Sequence, residues 1–253
     1  MRYAFAGDRN ISCKLLKFLI GKGHMPLALL VSEGLNATHD QELIDISAVD
    51  KSYIFSGNAF KETQNIEKLK SLNLDYIFGI HFPYIIPKAL LDIPKIGFLN
   101  LHPAYLPFNK GWHTPSWAIL DKTPYGATLH FMAEELDKGD IIHQKQMDVL
   151  PQDTANSLYQ RVLKLEEEVF YEAFENLITL NPKRTAQVDE GTAHNKRDLH
   201  NIQEIDLSIN QKPEILIDKL RALTTNKTSE AAYFTINGKR IGIQVRMFDM
   251  DEE

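Results

Sequence analysis

Asn100 and His102 stand two residues apart in the run Phe98-Leu99-Asn100-Leu101-His102-Pro103. On a strand, that spacing points both side chains to the same face. An amide donor beside an imidazole is suited to acyl transfer. The amide stabilises a developing oxyanion, and the imidazole moves a proton near neutral pH. Gly126-Ala127-Thr128-Leu129-His130 follows after a loop, and His130 can support the pair from a neighbouring strand. Leu136-Asp137-Lys138-Gly139-Asp140-Ile141-Ile142 then brings carboxylates that can orient the imidazole. Pro103, Pro107, Gly111 and Pro115 predict a long irregular loop after the Asn100–His102 strand. A loop at a strand's carboxyl end is the usual ligand position in an open α/β sheet.

The elements that must position these groups read as α/β. Residues 3–7 form a short apolar run ending in Gly, followed by helical spacing over 12–22 with Leu15, Leu16, Leu19 and Ile20 on one side. A second apolar run covers 26–31. This is a βαβ opening, which implies a parallel sheet with right-handed crossovers. Further strands are expected at 53–55, 74–80 and 98–101, with a helix at 63–72 and a strand pair at 126–131 and 140–146. Residues 154–180 form the longest helix, stopped near Asn181-Pro182. Its acidic triplet Glu166, Glu167 and Glu168 reads as a solvated face. Residues 183–211 read as irregular. A helix at 213–223 and a hairpin turning at Asn237-Gly238 close the chain.

Composition bounds the function. The 253 residues carry a formal net charge of -6, which disfavours a polyanionic partner, so no nucleic-acid partner is expected. Cys13 is the only cysteine, which excludes an intrachain disulfide and fits a reducing compartment. The N-terminus turns polar too soon for a signal peptide, and no run approaches the ~18 apolar residues of a membrane span. A cytoplasmic protein with no membrane partner is the expectation. Nine histidines are present, but no His-Glu-x-x-His or Cys-x-x-Cys spacing, so no metal is expected. His81 and His143 read as structural or surface residues. Gly7-Asp8-Arg9-Asn10 has one glycine, too few for a dinucleotide loop. It reads as a plain strand-to-helix turn, or as a place where Arg9, Asn10 and the helix N-terminus hold a phosphate. Trp112, His113 and Trp117 either line a pocket or pack it shut.

The stretch from about residue 74 to 146 resembles the folate-dependent formyltransferases, which include methionyl-tRNA, glycinamide ribonucleotide and sugar N-formyltransferases. The carrying motifs are Phe98-Leu99-Asn100-Leu101-His102-Pro103-Ala104-Tyr105-Leu106-Pro107 and Leu136-Asp137-Lys138-Gly139-Asp140-Ile141-Ile142. The resemblance implies a Rossmann-like core over 1–182 with a mostly parallel sheet, and a small C-terminal helix and β-hairpin region over 183–253 that serves a homodimer. It implies a catalytic triad of Asn100, His102 and the final Asp of the second motif, Asp140. N10-formyltetrahydrofolate is the implied donor, held near Phe82, Tyr84, Ile85, Ile86, Leu136, Asp137 and Gly139. The Gly111-Trp112-His113-Thr114-Pro115-Ser116-Trp117 segment is similar to the sugar-nucleotide group. The implied acceptor is therefore the amine of a nucleotide-linked amino-dideoxyhexose, such as dTDP-4-amino-4,6-dideoxyglucose, in surface polysaccharide (O-antigen) synthesis. Arg9, Asn10, Lys110, Trp112 and His113 are the candidate contacts to it. The alternatives are a methionyl-tRNA or glycinamide ribonucleotide acceptor, or a non-catalytic folate- or nucleotide-binding module.

Overall fold

The computed structural model describes residues 1–34, 37–188 and 190–251. Its main sheet has seven strands. In chain order they are β1 (Tyr3–Gly7), β2 (Ala28–Val31), β3 (Ile54–Ser56), β4 (Tyr76–Ile80), β5 (Gly97–His102), β7 (Tyr125–Phe131) and β8 (Ile141–Met147), while β6 (Lys110–Gly111) lies outside the sheet. The spatial order is β3-β2-β1-β4-β5-β7-β8. The first five strands in that order run parallel, and β7 is antiparallel to β5. The mostly parallel α/β fold read from the sequence is the one observed.

Every residue of β1 and of β4 is buried. Continuous burial, instead of alternation, marks strands covered on both faces. On one face lie Ala4, Ala6, Ala28, Leu30 and Ile77, packed with Phe60, Leu69 and Leu90. On the other, Phe78 meets Tyr3 and Phe170 edge-on at 5.4 and 5.6 Å between ring centres. Phe170 belongs to the long helix Ala155–Ile178. The chain runs outward from β1 to β3 and then returns to β4 on the other side of β1. That reversal makes the carboxyl ends of β1 and β4 a topological switch point, the place where open sheets of this kind bind ligands.

The helices are α1 (Arg9–Gly21), α2 (Asp40–Ser47), α3 (Thr63–Ser71), α4 (Lys88–Leu91), α5 (Thr114–Asp121), α6 (Ala155–Ile178), α7 (Asp198–Asn201) and α8 (Pro213–Ala222). Helix α5 interrupts the loop expected after β5. Pro115 sits in its first turn, where a missing N–H costs nothing, so this proline starts a helix and does not prevent one. The 183–211 stretch is also more ordered than expected. It holds β9 (Ala193–His194), which pairs with β6, and α7, whose Leu199 is fully buried.

The chain divides into two compact units, one of residues 1–102, 128–144 and 166–187, the other of 103–127, 145–165 and 188–253. The first holds the core just described. The second has its own cluster of Leu199, Ile205, Leu223 and Ala232, with Leu220, Phe234 and Ile243 packed on it. Phe234 and Ile243 come from the hairpin β10 (Ala232–Ile236) and β11 (Lys239–Ile243). Asn237 and Gly238 turn it with φ of 50° and 74°, the left-handed pair that matches strand twist in a two-residue hairpin.

Candidate active site

Strand β5 carries Asn100 and His102 at its carboxyl end, within the first unit. Strand β7 runs back beside it and sets His130 opposite Asn100 and Thr128 opposite His102. His130 is fully buried. Its Nδ1 lies 2.8 Å from the Phe131 carbonyl oxygen, so Nδ1 carries the proton and donates. Nε2 is then an acceptor, and the Asn100 side-chain nitrogen donates to it at 3.2 Å. Burial agrees with this neutral form. It pushes the His130 pKa down to about 4, against an opposing pull from the Asp137 charge. The Asn100 amide is thereby oriented, nitrogen toward His130, and its second hydrogen has no acceptor among the described residues.

The carboxylate beside these imidazoles is Asp137. One of its oxygens is 3.5 Å from His102 Nε2 and the other 3.7 Å from His130 Nε2. Asp140, the expected triad member, is not there. Its carbonyl accepts from the Phe131 N–H at 2.9 Å, but among the described residues its carboxylate bonds neither imidazole. The cause is the path of the turn. Asp137 adopts a left-handed φ of 53°, and the backbone at Gly139 runs against β7. A Cβ at Gly139 would lie 1.8 Å from the Phe131 carbonyl oxygen. Two aspartates three residues apart offer the same chemistry, and only the turn's geometry selects between them.

Sequence reasoning missed Gln187 altogether. Its Nε2 donates to the carbonyl oxygens of Asp137 and Gly139, each at 2.8 Å. It also misread Glu166, which is fully buried and not a solvated face. Both Glu166 oxygens lie near His81 Nε2, at 3.0 and 2.9 Å. Burial lowers the His81 pKa, but the Glu166 charge and hydrogen bond outweigh it, and the net shift is upward. Glu167 faces outward and pairs with Lys14 at 2.6 Å.

The expected folate residues after His81 divide in two. Phe82 and Tyr84 pack against each other at 4.9 Å and against Phe60 at 5.5 and 5.9 Å. Ile86 joins the same core, whereas Ile85 is 85% exposed and Leu136 is 61% exposed. Arg9 and Asn10 open α1 and are both exposed. The Arg9 guanidinium lies 3.8 Å from the buried Asp8 carboxylate, so the anion at this helix start is the protein's own. In the second unit, Lys110 is buried and donates to the Glu190 carbonyl at 2.6 Å, which makes it a poor substrate contact. Trp117 packs flat on His194, 3.7 Å between ring centres. Trp112 is 45% exposed, with Lys196 Nζ 4.9 Å over its ring. His113 has a left-handed φ of 56° and lies 3.9 Å from Glu230.

This arrangement can hold a polarised carbonyl against an amide donor and take a proton beside it. Residues 32–174 match the family model described as formyl transferase. The chain belongs to the formyl transferase family. This formyltransferase also matches, over residues 198–248, the model described as N-formyltransferase dimerization C-terminal domain. It is 33% identical over 253 residues to methionyl-tRNA formyltransferase of Ehrlichia canis (strain Jake), covering 96% of this chain and 79% of that one. It is 27% identical over 171 residues to dTDP-4-amino-4,6-dideoxyglucose formyltransferase of Mycobacterium tuberculosis (strain ATCC 25618 / H37Rv), covering 68% of this chain and 72% of that one. The crystal structure of a 4-N formyltransferase from Francisella tularensis matches with a TM-score of 0.84 and 26% identity, covering 98% of each chain. No helix among the described residues is long and apolar enough to cross a membrane.

Proposed function

We propose that this formyltransferase moves the formyl group of N10-formyltetrahydrofolate to the amine of a nucleotide-linked amino-dideoxyhexose, such as dTDP-4-amino-4,6-dideoxyglucose. The observation that carries the chemistry is the group of Asn100, His102, His130 and Asp137 at one sheet end. An amine attacks only when neutral, and His102 takes its proton. Attack on the formyl carbon builds a tetrahedral oxyanion, to which Asn100 gives its second amide hydrogen. Asp137, in place of Asp140, holds His102, and His130 keeps the Asn100 nitrogen turned to donate. The exposed Ile85 and Leu136 offer apolar cover for the folate, and the half-buried Phe82, Tyr84 and Ile86 brace the loop that carries Ile85.

The acceptor is argued from the whole chain. The match to the Francisella 4-N formyltransferase covers nearly all of both proteins, whereas the Ehrlichia methionyl-tRNA enzyme is longer than the aligned segment. The net charge of -6 disfavours a tRNA surface. Trp112, with Lys196 over its ring, is the candidate nucleotide contact in the second unit. The match over 198–248 supports a homodimer joined through the C-terminal region, and an amino-sugar product fits surface polysaccharide synthesis. A methionyl-tRNA acceptor is the second reading, favoured by the 33% identity to the Ehrlichia enzyme. Formyl transfer from N10-formyltetrahydrofolate to a panel of dTDP-, GDP- and UDP-linked amino sugars, charged initiator tRNA and glycinamide ribonucleotide decides between them. We expect product with a dTDP-linked amino sugar. Product with tRNA alone would overturn the acceptor assignment.

A further inference from the structure

Gln187 lies nine residues past the end of α6, in a stretch whose sequence shows no periodicity. Two reciprocal backbone bonds anchor the chain just before it: Ile141 N–H donates to the Thr185 oxygen at 2.8 Å, and Thr185 N–H donates to the Ile141 oxygen at 2.9 Å. From that anchor, the single Gln187 nitrogen reaches the carbonyls of Asp137 and Gly139 at 2.8 Å each. These carbonyls flank Lys138, so one side-chain amide spans the turn. The turn needs outside support, because Asp137 holds a φ of 53° that non-glycine residues seldom adopt. The Gln187 Oε1 at the other end of the amide is buried and has no partner among the described residues.

We propose that Gln187 is a positioning residue for the transfer. It pins the 136–140 turn so that the Asp137 carboxylate stays against His102. The chemistry is specific: an amide nitrogen offers two hydrogens from one atom, an ionised Glu offers none, and Met fills the same length with none. This inference rests on the reading of Asp137 as the partner of His102, and one experiment tests both separately. The full-length protein is made with 15N-labelled histidine, and the His102 Nε2 resonance is followed at pH 7 without any ligand. Asp137→Asn should move that resonance. Gln187→Met and Gln187→Glu should move it in the same sense and by a comparable amount, with Glu the larger because its carboxylate faces two carbonyl oxygens. A resonance that stays at the wild-type position in both Gln187 variants, while Asp137→Asn moves it, would overturn the positioning role. If Asp137→Asn itself leaves it unmoved, the Asp137–His102 pairing fails first. Should one Gln187 variant not fold, the other still gives the reading, since the two differ in charge and not in length.

Discussion

At the scale of single residues, the site depends on which nitrogen of His130 carries the proton. The Phe131 carbonyl takes Nδ1–H, so Nε2 must accept, and Asn100 has one way to face it. Removing the amide should then remove most of the oxyanion stabilisation. Asn100→Ala should lower kcat by about 10²–10³-fold, the usual cost of losing one such donor. A loss below tenfold in a steady-state assay would count against the role. His130 also makes stability depend on pH. Its pKa of about 4 in the fold lies below the unfolded value. The unfolded chain therefore binds more protons as pH falls, and stability present above about pH 6.5 is lost toward pH 4. A shift of that size is worth about 3 kcal/mol. Thermal melting followed from pH 7 to pH 4 should fall steadily, and less steeply in His130→Gln. These residues differ in how legible they are. Asn100 and His102 are readable because a spacing of two on a strand means one face. Asp137 and Asp140 are the same chemistry three residues apart on a turn, and no pattern ranks them.

At the scale of elements, the His81–Glu166 pair ties the end of β4 to the middle of α6. Losing one partner of a buried pair leaves an uncompensated charge and costs about 3–5 kcal/mol. Glu166→Ala should lower the urea midpoint accordingly, and an unchanged midpoint would mean that the pair carries no load. His81 is the opposite case to His130. Its folded pKa is raised, so its contribution is full below the unfolded value and fades as pH climbs through the folded one. The gap between wild type and Glu166→Ala should therefore narrow on the alkaline side. Glu166 was hidden in the sequence because three identical residues stand in a row and only one faces the core. Helix α5 was hidden for another reason. Its Pro115 is a loop signal everywhere except the first helical turn, which is where it lies.

At the scale of the whole molecule, the proposed homodimer is tested at the C-terminal hairpin, where Ile236 and Ile241 are exposed. The wild-type chain should sediment as a dimer, and Ile241→Lys should shift it toward monomer at equal concentration. A wild-type monomer at assay and at tenfold higher concentration would remove the dimer from the proposal. The sheet itself was legible because strands buried on both faces leave unbroken apolar runs, and βαβ connections permit one handedness. So was the acyl-transfer chemistry, since residue type and a period of two need no distant partner. What the tertiary structure decided is whatever depends on the path of a turn or the facing of a helix. It set Asp137 and not Asp140 on His102, turned Glu166 inward to His81, closed Lys110 onto a carbonyl, and brought Gln187 back from beyond α6 to the 136–140 turn. Each of these is a contact between segments far apart in the chain, and local spacing carries no information about it.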